Sequence, residues 1–307
     1  NAVDNDSANP AQKVTYVVDK STFSGNSNVN TEDLSRGGAL YIYLAGGTIS
    51  NSLFENNTTN NVHGGAIYAA GSDLSISGTV FDGNKVITAS NYHGGAIYAN
   101  NVVAIKNATF KNNSSAKSGG AIAAFENDSE TVESPTVIIK GTTFEENSAY
   151  SGGAIALRNT GTTKTEHVLE DIVLINNQGG NGVIYIYNNT KVTVSGLVAT
   201  NNHATVRGSV FYVTSSKAPT LVLKDAEISG NTVKDQATSD IIHIANASAV
   251  VDVYMDKISG SDFDAAGISD TTNITAVANF VIAETINGYP IFSFTISTMF
   301  HKYNLLS

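Results

Sequence analysis

The chain has 307 residues, a formal net charge of −10 and a pI near 4.9. Arg occurs only at Arg36, Arg158 and Arg207, so the clustered positive charge that nucleic acid or a polyanionic glycan requires is missing. The absence of Cys excludes a disulfide framework and a thiolate metal site, and no apolar run approaches the ~20 residues that cross a bilayer as a helix. Asn, Ser, Thr, Gly, Val and Ile are abundant while Pro, Met and Trp are scarce, a composition that suits short strands and tight turns. Asn1 to Gln12 is polar, with neither a basic start nor an apolar centre, so a signal peptide is expected to have been removed or to lie elsewhere.

From Phe23 onward the chain repeats itself. An apolar anchor followed three positions later by Asn recurs at Phe23/Asn26, Phe54/Asn57, Phe81/Asn84, Phe110/Asn113 and Phe144/Asn147. Weaker copies follow at Leu174/Asn177, Ala199/Asn202, Ile228/Asn231 and Ile258/Ser261. Successive anchors lie about 25 to 34 residues apart, within the repeat range of solenoids. Between anchors stands a glycine motif, Gly37-Gly38-Ala39-Leu40-Tyr41, with intact relatives beginning at Gly64, Gly94, Gly119 and Gly152. Degenerate ones begin at Gly182, Gly208 and Asp240. An alternating apolar pair precedes most anchors: Leu74/Ile76, Val103/Ile105, Val137/Ile139, Val192/Val194, Leu221/Leu223 and Val251/Val253.

Each coil therefore offers about three short strands, and no single coil can bury its apolar side chains. Stacking at the ~4.8 Å strand spacing solves this. The predicted fold is all-β, a right-handed single-stranded parallel β-helix of about eight to nine coils. Period-2 alternation assigns Leu40, Ile67, Ile97, Ile122, Ile155, Ile184, Val210 and Ile242 to the interior. Two residues on, the same face carries Ile42, Ala69, Ala99, Ala124, Leu157, Ile186, Tyr212 and Ile244. The five Phe anchors are expected to stack ring on ring, and Asn26, Asn57, Asn84, Asn113 and Asn147 to form an amide ladder in left-handed backbone. Insertions at Glu126 to Ser134 and Thr160 to Glu166 are expected to bulge from one face. The repeat domain is expected over 1–275, with 276–307 as a cap or continuation covering the open edge.

The pairing of Gly-Gly-Ala-Ile with Phe-x-x-Asn resembles the repeats of the polymorphic outer membrane protein family and of related adhesin-like surface proteins of bacteria and methanogenic archaea. Five consecutive coils carry both halves intact, and weaker copies extend the resemblance over roughly residues 20 to 262. It implies an extracellular parallel β-helix on the cell surface that mediates attachment to host cells, neighbouring cells or a matrix, often within a longer chain. No translocator barrel is recognisable towards the C-terminal end, so autotransport is not expected from this segment and an anchor is expected elsewhere.

The parallel β-helix also hosts polysaccharide lyases and glycosidases, whose chemistry needs converging carboxylates or a carboxylate-held Ca²⁺ beside a basic residue. The densest acidic cluster, Asp252, Asp256, Asp262 and Asp264, has no flanking Arg and reads as solvated surface. The motif combination of the polygalacturonase-like families is missing, so no catalytic residue is expected. His63 and His93 precede two glycine pairs and should stack; with no third ligand evident they read as a polar ladder, and neither a metal nor a cofactor is expected. Outward positions of the glycine motif give Tyr41, Tyr43, Tyr68, Tyr98, Tyr185, Tyr187 and Phe211, a row of rings suited to a sugar or protein surface. The expectation is a non-catalytic, extracellular attachment module whose partner is a cell-surface glycan, a protein receptor or copies of itself. Self-assembly into a filament or surface layer is the alternative, and a polysaccharide lyase or glycosidase the second.

Overall fold

The computed structural model describes residues 2–4, 14–29, 36–88, 91–126, 135–214, 217–235, 241–245, 249–253, 258–259, 278–286 and 289–296. It is an all-β parallel solenoid of about seven turns with four parallel sheets. This is fewer than the eight to nine coils expected from the anchors.

Each turn carries four strands, not three. One turn runs through Ile67–Ala70, Asp73–Ser77, Val80–Asp82 and Lys85–Val86. The first three are the glycine-motif strand, the alternating pair and the anchor strand; their stacked equivalents form the glycine, pair and anchor sheets. The fourth contributes to a short sheet, whose two-residue members at Thr58–Thr59 and Lys85–Val86 are too brief for any hydrophobic period to reveal. After the last parallel strand of the pair sheet, Val250–Val253, the strands Tyr289–Ile296 and Ala278–Ile286 add on antiparallel.

Corners are made by left-handed residues. Before each ladder Asn stands a residue at positive φ: Asn56 at 53°, Gly83 at 65°, Asn112 at 56° and Glu146 at 54°. The left-handed position thus lies one residue ahead of the ladder Asn, which turns inward instead. Gly64 at φ 72° opens the glycine-motif corner, and Gly65 follows where coils approach most closely. A Cβ on Gly65 would lie 2.0 Å from the Gly95 carbonyl oxygen of the next coil.

The interior follows the repeat. Phe54, Phe81, Phe110 and Phe144 are fully buried, and Phe23 at the first coil is half-buried. Neighbouring rings from Phe23 to Phe144 stack with centroids 4.6, 4.9, 4.7 and 5.1 Å apart and planes within 10°. Leu174, Ala199 and Ile228 continue the column. Beside it runs the buried Asn ladder, which reaches Asn231. The Asn113 Nδ2 donates to Asn147 Oδ1 and to the Phe81 carbonyl, both at 3.0 Å. Its Oδ1 accepts from the Asn84 backbone N–H at 3.0 Å and from Asn84 Nδ2 at 2.9 Å. Each ladder amide from Asn57 to Asn202 thus ties three coils together.

One interior assignment is corrected. Phe211, expected to face outward, aligns with Ile184 and Ile242 and is fully buried. Gly208-Ser209-Val210-Phe211 matches Gly-Gly-Ala-Ile residue for residue, so Val210 takes the Ala position at the corner and Phe211 the inward Ile position. Tyr212, expected inside, faces outward in line with Tyr185, and Val213 takes its interior place. A one-residue slip reverses both faces of a strand.

Candidate binding face

Outward side chains of the glycine sheet form columns set by register. One column reads Tyr41, Tyr68, Tyr98, Ala123, Ala156, Tyr185, Tyr212 and His243. The two alanines divide its rings into separate groups. Phe125 and Arg158, aligned with each other in the neighbouring column, fill the gap, with the guanidinium 4.6 Å from the Phe125 ring centre.

The first group is not the exposed platform expected from alternation. Tyr68 and Tyr98 are only 3% and 6% exposed, and with Phe125, Ala70, Ala123 and Ala156 they form a second apolar cluster outside the main core. Side chains from the turns ahead of the glycine pairs lie over them. His63 stacks on Tyr98 at 4.3 Å and on His93 at 5.2 Å, and Phe125 meets His93 edge-on at 4.7 Å. Arg36 Nη1 donates to the Tyr68 hydroxyl at 3.0 Å, with its guanidinium 4.9 Å from the ring centre. Tyr41 and Tyr43 remain half-buried beside this cluster.

The stacked histidines are neutral at neutral pH. Burial, then the charges of Arg36 and Arg158, lowers the His63 pKa to about 4. Burial, then His63, Arg158 and Lys117, lowers that of His93 to about 3. The His93 backbone N–H donates to His63 Nδ1 at 3.0 Å, which places the His63 ring proton on Nε2. Among the described residues no three His, Asp or Glu side chains converge as metal ligands.

The second group is more open. Tyr185, Tyr187 and Tyr212 are half-buried; Tyr185 lies parallel to Tyr187 at 6.0 Å and to Tyr212 at 5.7 Å. His243 stacks on Tyr212 at 5.1 Å. Burial first, then the neighbouring phenols Tyr212 and Tyr187, raises the Tyr185 pKa and keeps its hydroxyl protonated.

Of the two insertions, residues 127–134 lie outside the described residues, as do Asp256, Asp262 and Asp264. The second is held against the solenoid: Lys217 Nζ donates to the carbonyls of Thr160 and Gly161 at 2.6 and 2.8 Å, and Lys164 Nζ donates to the Ala218 carbonyl at 2.8 Å. Thr160 Oγ1 donates to Glu126 Oε1, which also lies 3.5 Å from Arg158 Nε. Sequence reasoning missed His167, a buried histidine aligned with Val192 in the pair sheet. Its Nδ1 accepts from the Val137 backbone N–H at 3.2 Å, its Nε2 lies 3.1 Å from Thr165 Oγ1, and burial lowers its pKa to about 4. The signal was its place at alternating spacing with Leu169, in a strand whose first two residues were read as the end of an insertion.

Residues 51–70, 78–100, 107–124 and 141–158 match the model of the Chlamydia polymorphic membrane protein repeat. The chain carries this repeat at four places. Each matched stretch of the polymorphic membrane protein repeat contains one Phe anchor, its ladder Asn and the following Gly-Gly-Ala-Ile. The repeat is therefore the coil-building unit: stacked ring, buried amide, close-approach corner and inward strand. The pair-sheet strands fall between matches, where coil length varies. No curated protein and no solved structure matches the chain.

Proposed function

We propose that the chain is a non-catalytic, surface-exposed attachment module, a right-handed β-helix acting outside the cell. Polymorphic membrane protein repeats on a β-solenoid fit a surface-exposed outer membrane protein. The observation that carries the attachment role is the partly exposed ladder Tyr185, Tyr187 and Tyr212: parallel, rigid rings on a flat sheet offer contact area with little side-chain entropy to lose. Four described carboxylates fit the non-catalytic reading, because Asp82, Glu126, Glu166 and Glu170 each sit beside a cation of an adjacent coil. Such pairs neutralise acids along the stack instead of gathering them into a cleft. The partner is a cell-surface glycan or protein receptor, bound by shallow contacts that gain strength when many copies act together.

The test is adhesion of the purified protein to cells, compared with a Tyr187→Ser/Tyr212→Ser variant. Adhesion is expected to fall several-fold per folded molecule. A wild-type protein that adheres to no cell would end the attachment reading. Equal adhesion by the folded variant would remove the ladder from it.

A further inference from the structure

The short sheet changes length at one corner. Ser115, Ala149, Gly179 and Ala204 are aligned across four coils, and so are Ser118, Ser151, Asn181 and Arg207 beyond them. Between the two columns the outer coils carry pairs, Ala116 with Lys117 and Thr205 with Val206, whereas the inner coils carry single residues, Tyr150 and Gly180. The extra residues are β-bulges, which push the outer coils outward and leave the inner two recessed. The result is a depression of about 300 Å³ whose lining includes Ser148, Tyr150, Gln178, Gly180 and Thr205.

Its lining has a definite chemistry. Tyr150 is 52% exposed, and its ring lies against bare backbone: a Cβ on Gly180 would meet the Tyr150 carbonyl oxygen at 2.5 Å and its Cδ2 at 2.9 Å. The lining also carries the hydroxyl residues Ser115, Ser148 and Thr205 and the exposed Gln178, and no charged residue is among it. The strands at its floor are hydrogen-bonded to coils on both sides, which leaves no free edge for an added peptide strand. An uncharged aromatic surface rimmed by hydroxyl and amide groups suits a ring with one apolar C–H face and hydroxyls at its rim.

We propose that the depression around Tyr150 is a binding subsite for a short neutral oligosaccharide. It rests on the attachment reading and names a ligand class for that module. The test applies the intact chain to immobilised neutral oligosaccharides of glucose, galactose, mannose, fucose and N-acetylhexosamines, with sialylated and uronate-containing ones as the acidic arm. Binders are then titrated by saturation-transfer NMR. At least one neutral oligosaccharide is expected to bind, with Tyr150→Ala weakening it about tenfold or more, as for a central aromatic anchor. Gln178→Ala should weaken it less, and because that side chain is exposed this variant gives the reading should Tyr150→Ala fail to fold. Failure of every neutral probe, binding confined to the acidic arm, or affinity unchanged in both variants overturns the subsite. Wild-type adhesion to cells without neutral-sugar binding overturns the subsite alone; sugar binding without adhesion to any cell overturns the attachment reading and leaves the subsite standing.

Discussion

Two adjacent asparagines, Asn112 and Asn113, have opposite duties. Asn112 is exposed, sits at φ 56° and occupies a corner where other coils use Gly25, Gly83 or Gly230. Asn112→Gly is therefore expected to change stability by less than ~1 kcal/mol, the freedom of Gly offset by its ease at positive φ. Asn113 is buried and serves four hydrogen bonds. Asn113→Ala strands the Asn84 backbone N–H and the Phe81 carbonyl away from water, each at ~1–3 kcal/mol, so a loss of at least ~2 kcal/mol is expected in urea melts. Phe81→Ala should cost about 3 to 5 kcal/mol by opening a cavity between Phe54 and Phe110. Measured costs below about 1 kcal/mol at either buried position would contradict the stacked interior.

Pairing between coils decides how each strand responds to change. Gly65→Ala would set a Cβ against the Gly95 carbonyl and the Lys85 backbone, neither of which can swing aside. The expected result is a loss of at least ~3 kcal/mol or no folded protein, measured by denaturant melting. The outer face of the glycine sheet divides in the same terms. Tyr98 is covered by His63 and Phe125, so Tyr98→Ser should cost about 2 kcal/mol through lost burial and ring contacts. Tyr187, partly exposed at the other end, should tolerate Ser with a loss below about 1 kcal/mol. Equal losses at the two sites would mean that the turn side chains do not cover Tyr98.

The whole solenoid acquires an acid sensitivity from its neutral histidines. His63, His93 and His167 have folded pKa values of about 4, 3 and 4, against an ordinary value near 6.5 in the unfolded chain. Between these limits the unfolded chain takes up protons that the folded chain refuses, so stability is full above about pH 6.5 and falls as pH drops towards 4 and then 3. The groups facing the His63 and His93 stack include the cations Arg36, Arg158 and Lys117, so protonation there also meets like charge. Urea melts from pH 7.5 down to pH 4 should show this decline, and a His63→Gln/His93→Gln variant should show a shallower one. An identical slope in both proteins would assign the acid response to other groups.

Repetition made the stack legible in advance. From Phe23/Asn26 to Phe144/Asn147 the Asn keeps its place three positions after the ring because each must meet its own equivalent one coil away, so both inner columns are written locally in every intact coil. The weaker coils lost that clarity: at Gly208-Ser209-Val210-Phe211, misalignment by a single residue placed Phe211 outside, since period-2 alternation carries no sign of its own. Other features belong to relations between coils about 25 to 34 residues apart. The fourth strand is defined by pairing and not by pattern, and the cover over Tyr68 and Tyr98 comes from His63, His93 and Arg36 in separate turns. The recess at Tyr150 exists because its neighbours in the stack carry one residue more. Local sequence encodes which residues must be inside a coil; only stacking sets coil against coil, and that comparison decides which outward side chains stay open to a partner.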